Sequence, residues 1–158
     1  MSVEIRQATL DDAATLARLN VAVHSIHTEN RPDIFKPPNV EELTIFMASR
    51  LNNPTCVAYI AEVDSVPVGY TINDIVRRDE NPFKDAHSYI VVDNISVEPA
   101  YRSQGVGEAL MERVYALARE QGINRVTLSV WAFNERAIAF YERLGFSPFQ
   151  INMDKMLE

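Results

Sequence analysis

One stretch of this sequence has the residue types of an anion-binding loop. The stretch runs Arg102-Ser103-Gln104-Gly105-Val106-Gly107. Glycine lets a ligand approach the backbone closely, and the first turn of a helix leaves N–H groups without intrahelical partners. With the positive end of the helix dipole and the Arg102 guanidinium beside them, these donors suit a phosphate or pyrophosphate. A helix entry whose glycines serve only tight packing is an alternative that the loop by itself leaves open.

The common nucleotide-binding motifs fit this loop poorly. A Walker A loop needs Gly-Lys-Ser/Thr after its spacer residues, and the sequence contains no such run. The dinucleotide fingerprint requires a third glycine at the position of Leu110. The sequence therefore disfavours a nucleotide-dependent switch protein.

Other reactive side chains are weaker candidates. His24 and His27 are close enough along a predicted helix to share a face, but no third ligand is marked, so a surface or substrate wall is favoured over a metal site. Cys56 is the only cysteine, which excludes an internal disulfide and a multi-cysteine zinc site. Glu29 and Asp33 could line an acceptor site, although solvated carboxylates are the more common case. We predict no metal.

Strands and helices alternate around these residues. The predicted strands are residues 3–8, 56–63, 67–75, 88–97, 124–131 and 146–156. A first helix is predicted to begin after residue 9, and three further helices are predicted over residues 40–51, 104–121 and 134–144. The proline-containing segment 28–39 is a candidate lid or substrate wall. Turn residues between 63 and 67 predict an antiparallel hairpin, and the pattern predicts a mixed sheet with helices on both faces.

Length and charge narrow the class of protein. With 158 residues and no linker or repeat, we expect one domain over residues 1–158. The net charge of −7 disfavours nonspecific attraction to nucleic acid or an anionic membrane, and tolerates a cationic partner. No apolar run approaches the ~20 residues of a transmembrane helix, and the first residues lack a signal-peptide pattern. We expect a cytoplasmic protein.

Two motifs together resemble a known family. Residues 89–107, which include the glycine loop, resemble the acetyl-CoA signature Arg/Gln-x-x-Gly-x-Gly/Ala of the GNAT superfamily of N-acetyltransferases. Residues 131–146 resemble that superfamily's second motif. The resemblance implies an α/β fold with a mixed, mostly antiparallel twisted sheet flanked by helices, and acetyl-CoA as cosubstrate.

The resemblance also implies which residues hold the cofactor. Backbone groups of Ile95 and Val97 would bind the pantetheine arm where two parallel strands splay apart at a β-bulge. N–H groups from the loop would hold the pyrophosphate, and Asn134 would help to orient the cofactor. The implied cofactor-binding residues are Ile95, Ser96, Val97, Arg102, Ser103, Gln104, Gly105, Val106, Gly107, Glu108 and Asn134.

Acetyl transfer to an amine needs a proton donor for the departing thiolate and a carboxylate near the amine. The resemblance places Tyr141 near the sulfur, where its phenol is the predicted general acid; an aromatic packing role is the alternative. Asp93 is the predicted group that positions the amine and relays its proton, with a structural role at a bulge as the alternative.

These observations predict an N-acetyltransferase that moves the acetyl group from acetyl-CoA to a primary amine by direct attack in a ternary complex. A catalytically inactive CoA-binding sensor or structural module of the same fold is the alternative. The expected partner is an amine, for which a cationic small molecule and a peptide are the two candidates, and a homodimer is the oligomer that we consider. The sequence names neither the acceptor nor the oligomeric state.

Overall fold

The computed structural model describes residues 2–158. The chain divides into two compact units, Met1–Leu128 and Ser129–Glu158. Each unit is described separately below, and the single domain over residues 1–158 stays a prediction. Among the described residues, no helix has both the length and the apolar character needed to cross a bilayer.

The first unit is a sheet with three helices. Its strands are β1 (Val3–Gln7), β2 (Cys56–Val63), β3 (Val66–Arg78), β4 (His87–Val97) and β5 (Val126–Leu128). Its helices are α1 (Ala13–Asn30), α2 (Val40–Leu51) and α3 (Val106–Glu120), with 3-10 turns at Leu10–Asp12 and Pro99–Tyr101. The strands lie in the order β1-β2-β3-β4-β5, and every pair is antiparallel except β4 with β5. The predicted fold class is confirmed.

Helices cover both faces of this sheet. One face packs against α1 and α2 and contains a cluster of fully buried apolar side chains. That cluster includes Leu16, Leu19, Met47, Ala58, Ile60, Tyr70 and Ile72. On the other face, α3 lies so close to β3 that a methyl group added at Gly69 would be 3.4 Å from side-chain atoms of Val106 and Leu110. Each large buried aliphatic side chain contributes about 1.5–3 kcal/mol of transfer free energy, so both faces stabilise the sheet.

A β-bulge interrupts β4 in the middle of the sheet. Ile72 of β3 pairs with Asn94, whereas the next residue, Asn73, pairs with Val92. Asp93 is therefore the extra residue of the bulge and has no pairing partner on β3. A bulge bends its strand and re-aims the side chains around it, which places Asp93 and Asn94 on the same face of the sheet.

Several predicted boundaries shift. The hairpin of β2 and β3 is confirmed, with Asp64 and Ser65 both at positive φ in its turn. Helix α1 continues to Asn30, into the segment predicted as loop. Strand β5 covers only Val126–Leu128 of the predicted 124–131 because its parallel ladder with β4 is three residue pairs long.

The second unit contains one helix, α4 (Glu135–Arg143), and an irregular tail. The prediction of a closing strand over residues 146–156 is wrong, because no strand forms there and residues 147–156 are exposed. The alternating apolar side chains at Phe149, Ile151 and Met153 are all more than half exposed. Alternation defines two faces of an extended segment, but a strand exists only when its N–H and C=O groups pair with a neighbouring strand.

Candidate active site

The carboxyl-terminal half of β4 forms an open edge. Its parallel partner β5 reaches only from Ile90 to Val92 in register, and β4 continues to Val97 without it. The Glu98 N–H donates to the carbonyl of Val68, a residue of β3, at 2.8 Å. Because the peptide bond is trans, the Val97 carbonyl points the opposite way, away from β3. Ile95, two residues earlier, presents its backbone groups on that same side. A ligand lying along this edge would meet strand-like donors and acceptors.

Helix α3 begins at the glycine loop with an uncapped end. Gly105 is the N-cap in the left-handed region, with φ 85° and ψ 2°, and no side chain caps the helix. The first helical bond runs from the Ala109 N–H to the Gly105 carbonyl at 3.0 Å. The N–H groups of Val106, Gly107 and Glu108 therefore project from the helix end. A Cβ built at Gly105 would meet nothing within 4 Å, so this end of α3 has room for an anion.

The loop before α3 is held by its own side chains. Arg102 Nε donates to the Val97 carbonyl at 3.0 Å, and Gln104 Nε2 donates to the Ala100 carbonyl at 3.1 Å. Ser103 adopts a positive φ of 61°. Arg102 thus ties the glycine loop to the open edge of β4. This role is positional, and the loop motif alone had suggested only an electrostatic one.

Two residues beside the open edge of β4, Ser96 and Gly69, hold neighbouring elements of the fold together. Ser96 is buried, and its Oγ donates to the Leu19 carbonyl of α1 at 3.3 Å. Gly69, which the sequence analysis missed, pairs with Val97 in register. A Cβ at Gly69 would lie 2.9 Å from the Ser96 carbonyl oxygen, closer than real Cβ contacts allow. Its signal was a glycine inside a strongly apolar strand, which marks close backbone approach.

Asp93 takes part in a three-residue charge cluster. Arg50 of α2 donates through Nη1 to Asp93 at 2.5 Å and through Nη2 to Asp74 of β3 at 2.6 Å. Burial opposes the positive charge on Arg50, but the hydrogen bond to Asp93 and the charges of both carboxylates outweigh it, so the pKa of Arg50 is raised. Arg50 was not singled out from the sequence because it lies 43 residues from Asp93. The cluster combines the bulge, β3 and α2, and its net charge is one negative unit.

Asn94, the other bulge residue, belongs to a buried polar chain. The Tyr70 hydroxyl donates to Asn94 Oδ1 at 2.9 Å and accepts from Asn20 Nδ2 at 2.7 Å. Tyr70 is fully buried, and burial raises the pKa of its phenol well above the ordinary range. These bonds fix α1 and β3 to the bulge, which gives the open edge a rigid base.

The segment after α1 folds back onto that helix. His24 Nε2 and Thr28 Oγ1 both donate to the Lys36 carbonyl, at 2.7 Å and 3.1 Å, and the Phe35 ring stacks on His27 at 5.0 Å. Burial, followed by the charge of His24, lowers the pKa of His27. Both histidines therefore serve to anchor the segment that was predicted as a lid or wall.

The two loop carboxylates, Glu29 and Asp33, differ in their surroundings. Arg31 forms a two-point ion pair with Asp33, with N–O distances of 2.9 Å and 2.8 Å, and Glu29 is exposed. Within residues 2–158, no group of three or more His, Cys, Asp or Glu side chains is arranged to hold a metal ion.

The second unit carries the remaining predicted site residues. Tyr141 is buried in α4 between Phe140 and Phe146, with ring centroids 5.5 Å and 5.9 Å away. Burial raises the pKa of its phenol to about 12. The side-chain oxygen of Asn134 caps α4 by accepting from the Ala137 N–H at 3.2 Å.

One family model matches most of this chain. The model of the acetyltransferase (GNAT) family matches residues 20–146, which is most of the chain. The chain belongs to the acetyltransferase (GNAT) family.

Curated relatives match over part of their length. An uncharacterized N-acetyltransferase of Methanocaldococcus jannaschii is 31% identical over 96 residues, which is 59% of this chain and 40% of the relative. A ribosomal-protein-alanine N-acetyltransferase of Escherichia coli is 44% identical over 58 residues, which is 37% of this chain and 39% of the relative. The matched part thus spans about two fifths of each of these relatives.

Solved structures share the fold across nearly the whole chain. A Bacillus halodurans protein crystallised as a tetramutant has a TM-score of 0.88 at 25% identity, covering 98% of this chain and 99% of its own. An aminoglycoside N-acetyltransferase in complex with CoA has a TM-score of 0.77 at 18% identity, covering 99% of this chain and 95% of its own. The second likeness shows the fold alone.

Proposed function

We propose that this protein transfers the acetyl group of acetyl-CoA to a primary amine by direct attack in a ternary complex. The observation that carries the proposal is the open edge of β4 beside the uncapped start of α3, tied together by the bond from Arg102 to the Val97 carbonyl. An extended pantetheine arm and a pyrophosphate need this pair of features side by side. The relatives include an enzyme named for acetylating a ribosomal-protein alanine, which supports an amine as the acceptor.

The binding roles follow from which groups face the ligand. Backbone groups of Ile95 and Val97 would hydrogen-bond the pantetheine amides as a strand does. The N–H groups from Ser103 to Glu108 would hold the pyrophosphate, because the helix dipole favours negative charge there. Ser96 would act through its buried bond to α1. Asn134 keeps the cofactor-orienting role that the family resemblance implies. Gly105 provides the left-handed turn that exposes these donors.

The reaction forms one C–N bond and breaks one C–S bond. The neutral amine attacks the thioester carbonyl, the thiolate departs, and one proton leaves the amine nitrogen while another reaches the sulfur. Tyr141 is the proposed donor to the sulfur. With a pKa of about 12, its phenol is protonated at neutral pH, and full transfer to a thiolate with an ordinary pKa near 8.5 is uphill by roughly 5 kcal/mol. Tyr141 therefore acts chiefly by donating a hydrogen bond to the developing thiolate.

Asp93 is better suited to hold the amine than to remove its proton. Its carboxylate is already held by Arg50 through a hydrogen-bonded ion pair, so its position is fixed. With 47% of its side chain exposed, this carboxylate can attract an ammonium group and concentrate it beside the β4 edge. The small neutral fraction of the amine attacks the thioester, and water accepts the proton that the nitrogen then loses.

The test combines binding with turnover. Acetyl-CoA binding is measured by calorimetry, and release of free CoA thiol is followed with a panel of primary amines. We expect tight binding and amine-dependent thiol release in the wild type, and loss of both in Gly105→Val. Binding of acetyl-CoA without thiol release above the amine-free blank, across the whole panel, would show a CoA-binding module without catalysis and refute the proposal.

A further inference from the structure

An open groove lies along the outer half of β3, away from the glycine loop. Its volume is about 470 Å³. The lining residues are Thr55, Asp74, Ile75, Val76, Arg77, Arg78 and Val91. The groove exists because β3 extends past the start of β2: Cys56 of β2 pairs with Asp74, and the last residues of β3 have no partner on that side. None of these residues has a role in the proposed binding of acetyl-CoA.

The groove begins beside the proposed reaction site. Side chains two apart on a strand share a face, so Asp74, Val76 and Arg78 point the same way. Asp74 shares the guanidinium of Arg50 with Asp93, the bulge residue two positions before Ile95. The acidic end of the groove is therefore the end at which an amine would meet the thioester. Arg78 marks the opposite end.

The electrostatic character changes along the groove. Asp74 lines the near end, and beside the groove Asp93 shares the same Arg50 guanidinium, so two carboxylates against one guanidinium leave a net negative charge for an ammonium group. Val76 and Val91, both partly buried, form an apolar middle. At the far end Arg78 is exposed and pairs in register with His87 of β4.

Arg77 lines the groove, but its guanidinium group points away from it. Its Nη2 donates to the Gln121 carbonyl at 3.1 Å and to Gln121 Oε1 at 3.2 Å, at the end of α3 on the other face of the sheet. The positive charge offered to a ligand at the far end is thus that of Arg78, since alternation along β3 directs the two guanidinium groups to opposite faces.

We propose that the acceptor is an amphoteric molecule: a primary amine whose other end carries an acidic group about 10 Å away. The distance follows from the strand rise of about 3.3 Å per residue, which separates the Cα atoms of Asp74 and Arg78 by about 13 Å before the arginine side chain reaches back. An apolar linker between the two ends would lie over Val76 and Val91. This inference rests on the proposed function, since it names the acceptor of the same reaction.

Three acceptors of one length test the proposal. An extended eight-carbon chain spans about 10 Å. The set is 8-aminooctanoate, octylamine and 1,8-diaminooctane, which end in a negative, a neutral and a positive group. We expect kcat/KM for 8-aminooctanoate to exceed that for octylamine by roughly fivefold, the upper range for one exposed ion pair, and to exceed that for the diamine by more. The difference should lie in KM, because the far end takes no part in bond making.

A charge reversal and its control locate the effect. Arg78→Glu should invert the order, so that the diamine becomes the best of the three acceptors. Arg18→Glu makes the same charge change at an exposed position of α1 and should keep the wild-type order. Transfer to all three amines with no preference for the acid, or a preference that Arg78→Glu leaves unchanged, would overturn the inference while the proposed function stands.

A binding measurement separates the two proposals if turnover is absent. In calorimetry with CoA present, 8-aminooctanoate should bind the wild type more tightly than it binds Arg78→Glu. If it does so without any acetyl transfer, the proposed function fails and the groove assignment stands. If it binds neither protein and no transfer occurs, both are refuted.

Discussion

Gly69 is the position where one methyl group should disturb both the sheet and the proposed binding edge. It pairs with Val97 at the end of β4, and α3 packs over it. In Gly69→Ala the new Cβ would start 2.9 Å from the Ser96 carbonyl oxygen. That oxygen is a backbone atom, so relief requires β3 and β4 to move apart by a few tenths of an ångström.

The expected cost can be worked from two opposing effects. One extra methyl group in a well-packed site costs about 1–3 kcal/mol in strain and displacement. Replacing glycine by alanine also restricts the unfolded chain, which returns about 0.4–1 kcal/mol. We therefore expect Gly69→Ala to lose about 1–2 kcal/mol of unfolding free energy, and acetyl-CoA affinity to fall because the displaced carbonyl precedes Val97.

Urea unfolding followed by circular dichroism gives the stability change, and calorimetry with acetyl-CoA gives the affinity. Gly122→Ala is the matched control: its φ of 68° makes alanine strained, but a Cβ there meets nothing within 4 Å. The control should lose stability and keep its affinity. If Gly69→Ala is as stable as the wild type or more so, the close approach of β3 to β4 has no energetic consequence and the argument fails.

Three further variants probe the site. Gly105→Val should abolish measurable acetyl-CoA binding in calorimetry, since a β-branched residue resists the φ of 85° that exposes the α3 donors; a folded variant with normal affinity would remove the loop from the site. Tyr141→Phe should keep acetyl-CoA affinity and lower turnover about 100-fold. Because its folded-state pKa of about 12 exceeds the unfolded value of 10, Tyr141 contributes roughly 2–3 kcal/mol of stability that is lost as pH rises from 10 to 12. In alkaline denaturation the variant should lose less stability than the wild type by about this amount, since other buried phenols such as Tyr70 titrate in both proteins. Arg50→Met should destabilise the fold by about 2 kcal/mol in urea, with partial recovery on adding Asp93→Asn, which removes the carboxylate left without its partner; no recovery would show that Arg50 acts by packing alone.

Local patterns in the sequence sufficed for much of the architecture. Helix α2 was predicted with the bounds that the structure shows. In the structure the Asn39 side chain caps it and Glu41 and Glu42 lie in its first turn, so the interactions that define its start are local. The hairpin of β2 and β3 and the strand β4 were equally well marked by turn residues and β-branched runs. The glycine loop was recognisable because a helix start and its exposed N–H groups are properties of consecutive residues.

The resemblance of two motifs identified the family from residues 88–146, and the family model matches that region and more. The roles of Ile95, Val97, Asn134 and Tyr141 still depend on that resemblance. What the fold adds is a physical basis for two of them: β5 ends early, and the peptide after Val97 turns its carbonyl away from β3.

The tail and the charge cluster show where local pattern was insufficient. Residues 146–156 alternate like a strand yet form none, because strand formation requires a backbone partner that a periodic pattern does not provide. In the sequence alone Asp93 is a candidate base, but in the fold Arg50 of α2, distant in sequence, forms an ion pair with it. Intrinsic preferences and caps act over a few neighbouring residues and can be read from sequence. Ion pairs, the clash at Gly69 and the length of a parallel ladder depend on distances between segments, which exist only after the chain has folded.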